Sequence, residues 1–201
     1  MALVLAAPKA VEPPRAPAVG AWVDYRWSVP DQPDSRIRYA VVGGDAEGRR
    51  RIEIEILKGG RLARFGYDLL VDGRRTRQVA QLGDQGAVLL MPDLKLSLPE
   101  TGTMDVSKMP KARAKKWKRI TVPAGTFRCQ EVESVQGVAC IDQTLMPMNV
   151  VRFKGKLAGR MTLMARGFDA KPNILGTPRA LPKLSPSAIP ELLKQPSPNT
   201  P

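Results

Sequence analysis

Hydrophobic and polar residues alternate along most of the chain, with a period of two. In residues 22–29, for example, Val23, Tyr25 and Trp27 fall on one side and Asp24, Arg26 and Ser28 on the other. This alternation predicts half-buried β-strands, because successive side chains of a strand point to opposite faces of the sheet. The same alternation, or a short segment of strand length between two turns, predicts strands at residues 36–42, 52–56, 65–71, 75–82, 86–91, 148–153 and 160–165.

Short turns rich in glycine separate these strands. The pairs Gly43-Gly44 and Gly59-Gly60 supply residues that accept a positive φ, as tight hairpin loops require. Consecutive strands joined in this way form an antiparallel meander. The fold class predicted is therefore all-β, with one antiparallel curved sheet in the form of a half-barrel or an open barrel.

The central stretch contains a tight turn and both cysteines. In Val122-Pro-Ala-Gly125, proline fixes the φ of a turn position and glycine can follow as the bulge residue of a three-residue loop. A second reversal is expected at residues 134–137, which places Cys129 roughly opposite Cys140. Facing residues of an antiparallel pair lie close enough for a disulfide. Two free buried thiols are the alternative.

Two proline-rich tails flank the predicted domain. The domain is expected to span residues 20–170, between a segment at 1–19 and an irregular tail at 171–201 that holds eight prolines. Residues 1–7 resemble the end of a secretory signal peptide, the alternative being an apolar disordered tail. No run reaches the ~20 apolar residues that span a bilayer, so no transmembrane segment is predicted.

Basic residues are concentrated in one segment. The formal net charge is +13, and residues 104–119 alone contribute +6. Proline residues break the alternation over 92–119, which predicts a long loop that returns to the sheet at about Trp117. The basic cluster comprises Lys108, Lys111, Arg113, Lys115, Lys116, Lys118 and Arg119.

Three interpretations of the basic cluster remain open. It is a solvated loop, a surface that contacts anionic lipid headgroups or envelope polymers, or a nucleic-acid contact. Trp117 is the single aromatic residue in the cluster, and no nucleic-acid motif surrounds it, which argues against nucleic acid.

Composition argues against catalysis and metal binding. The chain has no histidine and two cysteines, so neither a histidine base nor a zinc site of Cys and His ligands can be built from it. Carboxylates such as Asp24, Glu53 and Glu55 alternate with apolar residues and are expected to face solvent. A serine–lysine pair stays open, although no motif indicates one. The prediction is a protein without catalytic residues, metal or cofactor.

The motifs Trp22-Val-Asp-Tyr25, Val122-Pro-Ala-Gly-Thr-Phe127 and Met146-Pro-Met148, together with the paired cysteines, resemble a family of uncharacterised bacterial periplasmic proteins. That family is distantly similar to the LolA-like half-barrel carriers of lipoproteins and lipids. The resemblance implies a periplasmic location and an antiparallel sheet curled around an apolar concavity. A strong amphipathic helix to plug the half-barrel is missing from this sequence.

The inward-facing side chains have two possible roles. They line a cavity for a lipid, a lipoprotein or another amphiphilic ligand, or they pack against one another as an ordinary core. A filled core with an apolar or basic outer patch would instead favour an accessory subunit of an envelope assembly. The candidate lining residues are Tyr25, Trp27, Tyr39, Phe65, Tyr67, Met148, Phe153 and Met161.

Overall fold

The computed structural model describes residues 17–71, 74–84, 86–90, 113–155 and 159–180. The described part is all-β, which confirms the predicted fold class. Its strands are β1 (Trp22–Ser28), β2 (Ser35–Gly44), β3 (Arg50–Lys58), β4 (Arg61–Leu69), β5 (Arg75–Leu82), β6 (Leu89–Leu90), β7 (Arg113–Val122), β8 (Gly125–Ser134), β9 (Gly137–Ile141), β10 (Val150–Gly155), β11 (Arg160–Gly167) and β12 (Arg179–Ala180).

All strands belong to one open sheet, in the order β12-β6-β5-β4-β3-β2-β1-β11-β10-β9-β8-β7. Neighbouring strands are antiparallel, except that the short β12 pairs in parallel with β6. Strand β1 lies in the middle of the sheet, between β2 and β11. Within the described part of the chain, strand β7 pairs only with β8 and forms one long edge of the sheet.

The sheet curls so that side chains from distant strands meet in one core. Tyr25 of β1 and Tyr39 of β2 lie at its centre, with ring centroids 6.1 Å apart in an edge-to-face arrangement. Ile54 of β3 and Phe127 of β8 belong to the same cluster. Because a flat sheet would hold these strands far apart, this shared core is what produces the half-barrel shape.

The central hairpin forms as expected, with one difference in the loop. Val122 pairs directly with Gly125, so the loop contains two residues rather than three. Gly125 has a φ of 127°, a value that residues with a Cβ rarely adopt. Cys129 and Cys140 form a disulfide with a Cα–Cα distance of 5.5 Å, which confirms that prediction. Register places Cys140 opposite Glu131, so the bridge runs diagonally.

The return from the long loop was predicted too late along the chain. Strand β7 begins at Arg113, four residues before Trp117, and its first five residues are exposed. Charged residues fit this strand because it lies at the sheet edge and buries no side chain before Ile120. Five residues of the basic cluster are therefore strand residues, while Lys108 and Lys111 lie outside the described residues.

A C-terminal segment, residues 170–180, runs along the outer side of β2–β5. A Cβ placed on Gly66 of β4 would lie 3.0 Å from Ile174 Cδ1, which shows how closely the segment approaches the sheet. The carboxylate of Glu53 accepts hydrogen bonds from the backbone N–H groups of Asn173 and Ile174 at 2.7 and 3.2 Å. The segment therefore adds a thin second layer to that side of the sheet.

Two carboxylates expected at the surface are buried. Glu53 is 6% exposed beneath the C-terminal segment, and Asp24 is 7% exposed beneath Arg36 and Arg38. Alternation assigned both side chains correctly to the outer face of the sheet. It could not reveal that later parts of the chain or neighbouring arginines cover that face.

Three predictions fall on residues outside the described part: the signal-like stretch at 1–7, most of the loop at 92–119 and the tail beyond residue 180. They stay predictions.

Candidate functional site

On the outer face of β8–β11 and β1–β2, side chains that include many charged residues lie in rows across the strands. Residues directly opposite each other in an antiparallel pair project to the same side of the sheet. One such row consists of Glu131, Cys140, Arg152, Thr162, Arg26 and Arg36. The next row consists of Glu133, Val138, Lys154, Arg160 and Ser28.

Between these two rows lies a cleft of about 400 Å³ that we call the cationic cleft. Its side chains differ in character: Cys140 is buried and Val138 is half-buried, whereas the cationic residues are exposed. The cleft therefore combines an apolar floor over the disulfide with polar walls. Its residues are Glu131, Val138, Cys140, Arg152, Lys154 and Arg160.

The three cations of the cleft have no ion-pair partner among the described residues, because no carboxylate of that part lies within 4.0 Å of them. The nearby carboxylates have partners on β7 instead. Lys118 forms an ion pair with Glu131, and Lys115 lies 2.6 Å from Glu133. The positive charge of the cleft is therefore left largely uncompensated.

Lys154 and Arg160 are also direct cross-strand neighbours in β10 and β11. Like charges at directly opposed positions destabilise an antiparallel pair. Arg26 and Arg36 form a second opposed pair, but Arg36 has Asp24 as a partner at 2.7 Å. An anion bound between Lys154 and Arg160 would remove the repulsion between them, so this arrangement suits the binding of a negatively charged group.

The predicted basic cluster divides between the two sides of the sheet. Lys118 faces Cys129, and Lys115 pairs with Glu133, so both lie on the same side as the cationic cleft. Trp117 faces Gln130 on the opposite side. There it is 52% exposed and lies 5.4 Å below the guanidinium of Arg128, with Arg119 beside them. The cluster is therefore not one continuous surface.

The predicted cavity-lining residues lie in or against the core. Five of them are buried, namely Tyr25, Tyr39, Tyr67, Met148 and Met161, and three are partly buried, namely Trp27, Phe65 and Phe153. The Tyr25 hydroxyl donates a hydrogen bond of 2.7 Å to the Val150 carbonyl. At the centre of the half-barrel these side chains pack against one another.

A second cleft of about 320 Å³ lies beneath the C-terminal segment. Arg51 and Asp68 face each other in it with an ion pair of 3.3 Å, and Glu53 binds the segment's backbone. Three of its charged groups, Arg51, Asp68 and Glu53, thus have partners within the chain.

Arg152, Lys154 and Arg160 were not among the site residues predicted from the sequence. A signal was present, because Arg152 and Lys154 are two residues apart and alternate with Phe153, which places both on the polar side of β10. What was missing was the register that brings Arg160 opposite Lys154. Register depends on the hairpin as a whole, so it cannot be predicted from the pattern within either strand.

The described part contains no helix that is long and apolar enough to cross a membrane. Among its residues, no group of three His, Cys, Asp or Glu side chains is arranged to hold a metal ion. No protein-family model matches this chain, and no curated protein or solved structure matches it either.

Proposed function

We propose that this chain is a non-enzymatic protein of the bacterial cell envelope that binds an anionic amphiphile, such as a lipid with a charged headgroup, in the cationic cleft. The observation that carries the proposal is the set of three cations above an apolar floor that have no carboxylate partner in the described ranges. An anionic headgroup would pair with the cations, and the first carbons of an apolar chain would contact Val138.

Export is supported by the disulfide between Cys129 and Cys140. Disulfides persist in oxidising compartments such as the bacterial periplasm and are rare in the cytosol. The resemblance of the central motifs to a periplasmic family points in the same direction.

The rest of this outer face supports contact with an extended anionic surface. Lys115 and Lys118 lie on the same side as the cationic cleft, and each basic residue near an anionic bilayer contributes about 1 kcal/mol of binding free energy. The attraction is screened by salt over the Debye length. Binding should therefore weaken steeply as the ionic strength rises.

Co-sedimentation with lipid vesicles tests this proposal. Full-length protein should bind vesicles of phosphatidylcholine mixed with phosphatidylglycerol, and it should not bind vesicles of phosphatidylcholine alone. The triple variant Arg152→Gln, Lys154→Gln, Arg160→Gln should partition about a hundredfold less onto the anionic vesicles.

A matched control removes the same charge elsewhere. Lys58→Gln, Arg61→Gln, Lys171→Gln changes three exposed basic residues outside the cationic cleft and should retain most of the binding. Equal losses in the two triple variants would reduce the effect to net charge and contradict the proposal. Binding to duplex DNA at the same salt concentration, with none to anionic vesicles, would favour nucleic acid instead.

An accessory subunit of an envelope assembly is a second candidate, because the packed centre of the half-barrel and the basic outer face meet its requirements as well. The same experiment separates the two. If the chain recognises a protein partner instead, its binding to vesicles should not depend on the lipid charge. Binding of that protein partner should then depend on the cations of the cationic cleft.

A further inference from the structure

A β-bulge interrupts the pairing of β4 with β5. Gly66 faces Val79, but Asp68 faces Thr76, so Tyr67 is opposed by two residues of β5 instead of one. One of these two residues, Arg77, has a φ of 47°, in the left-handed region that side chains with a Cβ seldom occupy. Bulges and strained backbone often occur at functional sites, where they redirect a side chain.

The redirected side chain here is Arg75. Unbroken alternation would place Arg75 on the outer side of the sheet, together with Val79. The bulge shifts the register by one residue, so that Arg75 faces Leu69 and shares the inner side with Tyr67. Its guanidinium lies 5.0 Å from the centroid of the Tyr67 ring. The bulge thus brings a permanent cation to the inner, mostly apolar face.

Two polar atoms at this place are buried and have no hydrogen-bond partner among the residues that the structure describes. They are Tyr67 Oη and Arg75 Nη2. Leaving a buried donor unpaired costs about 1–3 kcal/mol, and more for a charged group. Burial raises the pKa of Tyr67 well above its ordinary value, so the phenol keeps its proton and remains a donor. Two unsatisfied donors, one of them charged, match the acceptor oxygens of an anion.

The neighbouring inner surface is apolar and incompletely covered. Leu69, Phe65 and Ala63 alternate along β4 on the side of Tyr67, and all three are partly exposed. Leu82 of β5 faces Ala63 and is 40% exposed. From Leu69 to Ala63 this apolar strip is about 20 Å long at the usual rise per strand residue. It differs in this respect from the packed centre around Tyr25.

We propose that Tyr67 and Arg75 bind the anionic head, a carboxylate or a phosphate, of a single amphiphilic molecule whose apolar part lies along the strip of Phe65, Leu69 and Leu82. This site goes beyond the proposed function. It lies on the inner side of β4 and β5, whereas the cationic cleft lies on the outer side of β9–β11. It takes one molecule, not a membrane surface.

The test uses full-length protein with dodecanoate, dodecyl phosphate and dodecanol as probes, each in competition with a dansyl-labelled fatty acid. Dodecanoate or dodecyl phosphate should displace the label from wild-type protein and raise its melting temperature, and the tighter of the two identifies the head group. Dodecanol, which lacks the charge, should bind at least about tenfold more weakly.

Variants connect this binding to the two donors. Arg75→Met should weaken binding of the anionic probe at least about tenfold, and Tyr67→Phe should weaken it several-fold. Arg75→Lys keeps the charge but not the planar fork, so it should bind with intermediate affinity. Arg74→Met, which changes the preceding exposed residue, is the matched control and should bind like wild type. Arg75→Met should fold, because it removes a buried donor that has no partner.

The proposal is overturned if neither anionic probe binds wild-type protein, if dodecanol binds equally well, or if Arg75→Met binds like wild type. A purely structural contact between Arg75 and the Tyr67 ring would give no melting shift with any probe. Vesicle binding distinguishes failure of this site from failure of the proposed function. Arg75→Met should bind anionic vesicles like wild type, and the triple variant of the cationic cleft should still bind the monomeric probe.

Discussion

Glu53, in the middle of β3, accepts a hydrogen bond of 2.7 Å from the backbone N–H of Asn173, which lies 120 residues later in the chain. The same carboxylate oxygen accepts the N–H of Ile174 at 3.2 Å. Hydrogen bonds to an ionised group are about twice as strong as bonds between neutral groups. A single buried carboxylate therefore holds the C-terminal segment against the outer face of the sheet.

Replacing Glu53 should release this segment. We expect Glu53→Ala to lower the free energy of unfolding by about 2 kcal/mol, because two backbone N–H groups lose the buried carboxylate that accepts their hydrogen bonds. Hydrogen exchange at Asn173 and Ile174 should accelerate, and exchange in β1 should change little. Glu55→Ala is the control, because Glu55 lies on the same strand and its carboxylate pairs with Arg64. Unchanged exchange at Asn173 in Glu53→Ala would contradict this role.

Asp24 should contribute more to stability than an exposed aspartate of the same region. Its carboxylate lies 2.7 Å from Arg36 and 2.9 Å from Arg38, and its side chain is 9% exposed. We expect Asp24→Asn to cost about 1–3 kcal/mol of unfolding free energy, because two arginines lose a charged partner. Asp34→Asn, at a 54% exposed site 4.0 Å from Arg26, should cost less than about 0.5 kcal/mol. Denaturant unfolding of both variants measures the difference, and equal values would refute it.

The disulfide should stabilise the domain moderately. Cys129 and Cys140 are 11 residues apart, and closing a loop of that size lowers the entropy of the unfolded chain by an amount worth about 3 kcal/mol. The double variant Cys129→Ala, Cys140→Ala should lose about this amount in denaturant unfolding and still fold, because the core extends over many strands. A reductant should destabilise wild-type protein and leave the double variant unaffected. A double variant that is as stable as wild type would show that the bridge is dispensable.

Lys154→Glu should separate stability from binding. The substitution places opposite charges at the facing positions 154 and 160, which should raise the unfolding free energy by about 0.5 kcal/mol. The same change should weaken binding to anionic vesicles, because the cationic cleft loses one cation and gains an anion. Thermal unfolding and vesicle co-sedimentation measure the two effects. A loss of stability together with unchanged vesicle binding would contradict the proposal that the cationic cleft binds anionic lipid.

Alkaline pH should unfold this protein through its tyrosines. Burial raises the pKa of Tyr39 to about 12, and it also raises the pKa values of Tyr25 and Tyr67 well above the ordinary value. In the unfolded chain tyrosine titrates near pH 10, so between these values the folded state holds protons that the unfolded state has lost. The stability is fully present below about pH 10. It falls above that pH by about 1.4 kcal/mol per pH unit for each buried tyrosine.

Phenolate absorbance and denaturant unfolding between about pH 9 and 12 check this expectation. Ionisation of the three tyrosines should coincide with loss of the fold instead of preceding it. Tyr67→Phe should make the unfolding free energy fall less steeply with pH, by the contribution of one tyrosine. Tyrosines that titrate near pH 10 in folded protein would show that burial does not protect them.

The strands themselves were predictable because their alternation is local. In β1, Val23, Tyr25 and Trp27 share one side regardless of what packs against them, and the structure places them on the core side. The turn at Pro123 and the proximity of Cys129 to Cys140 also follow from short-range geometry, although the diagonal placement of the two cysteines was found only in the structure. These features need only the two-residue period of a strand and the residue preferences of tight turns.

Which face a residue occupies after a bulge could not be predicted. Arg75, Arg77 and Val79 alternate in the sequence, but the extra residue in β5 turns Arg75 inward while Val79 stays outward. A bulge is stabilised by contacts across the sheet, and its position leaves little trace in the alternation of the strand that contains it.

Local patterns along the chain were sufficient to predict an antiparallel all-β fold and to bring Cys129 close to Cys140, since period-two alternation and turn chemistry are properties of neighbouring residues. The position of Arg160 opposite Lys154, the cover of residues 173 and 174 over Glu53 and the contact of Arg75 with Tyr67 became known only from the folded chain. Each of these depends on register, on a bulge or on a packing contact between distant segments. Long-range pairing sets such relationships, and no local pattern encodes them.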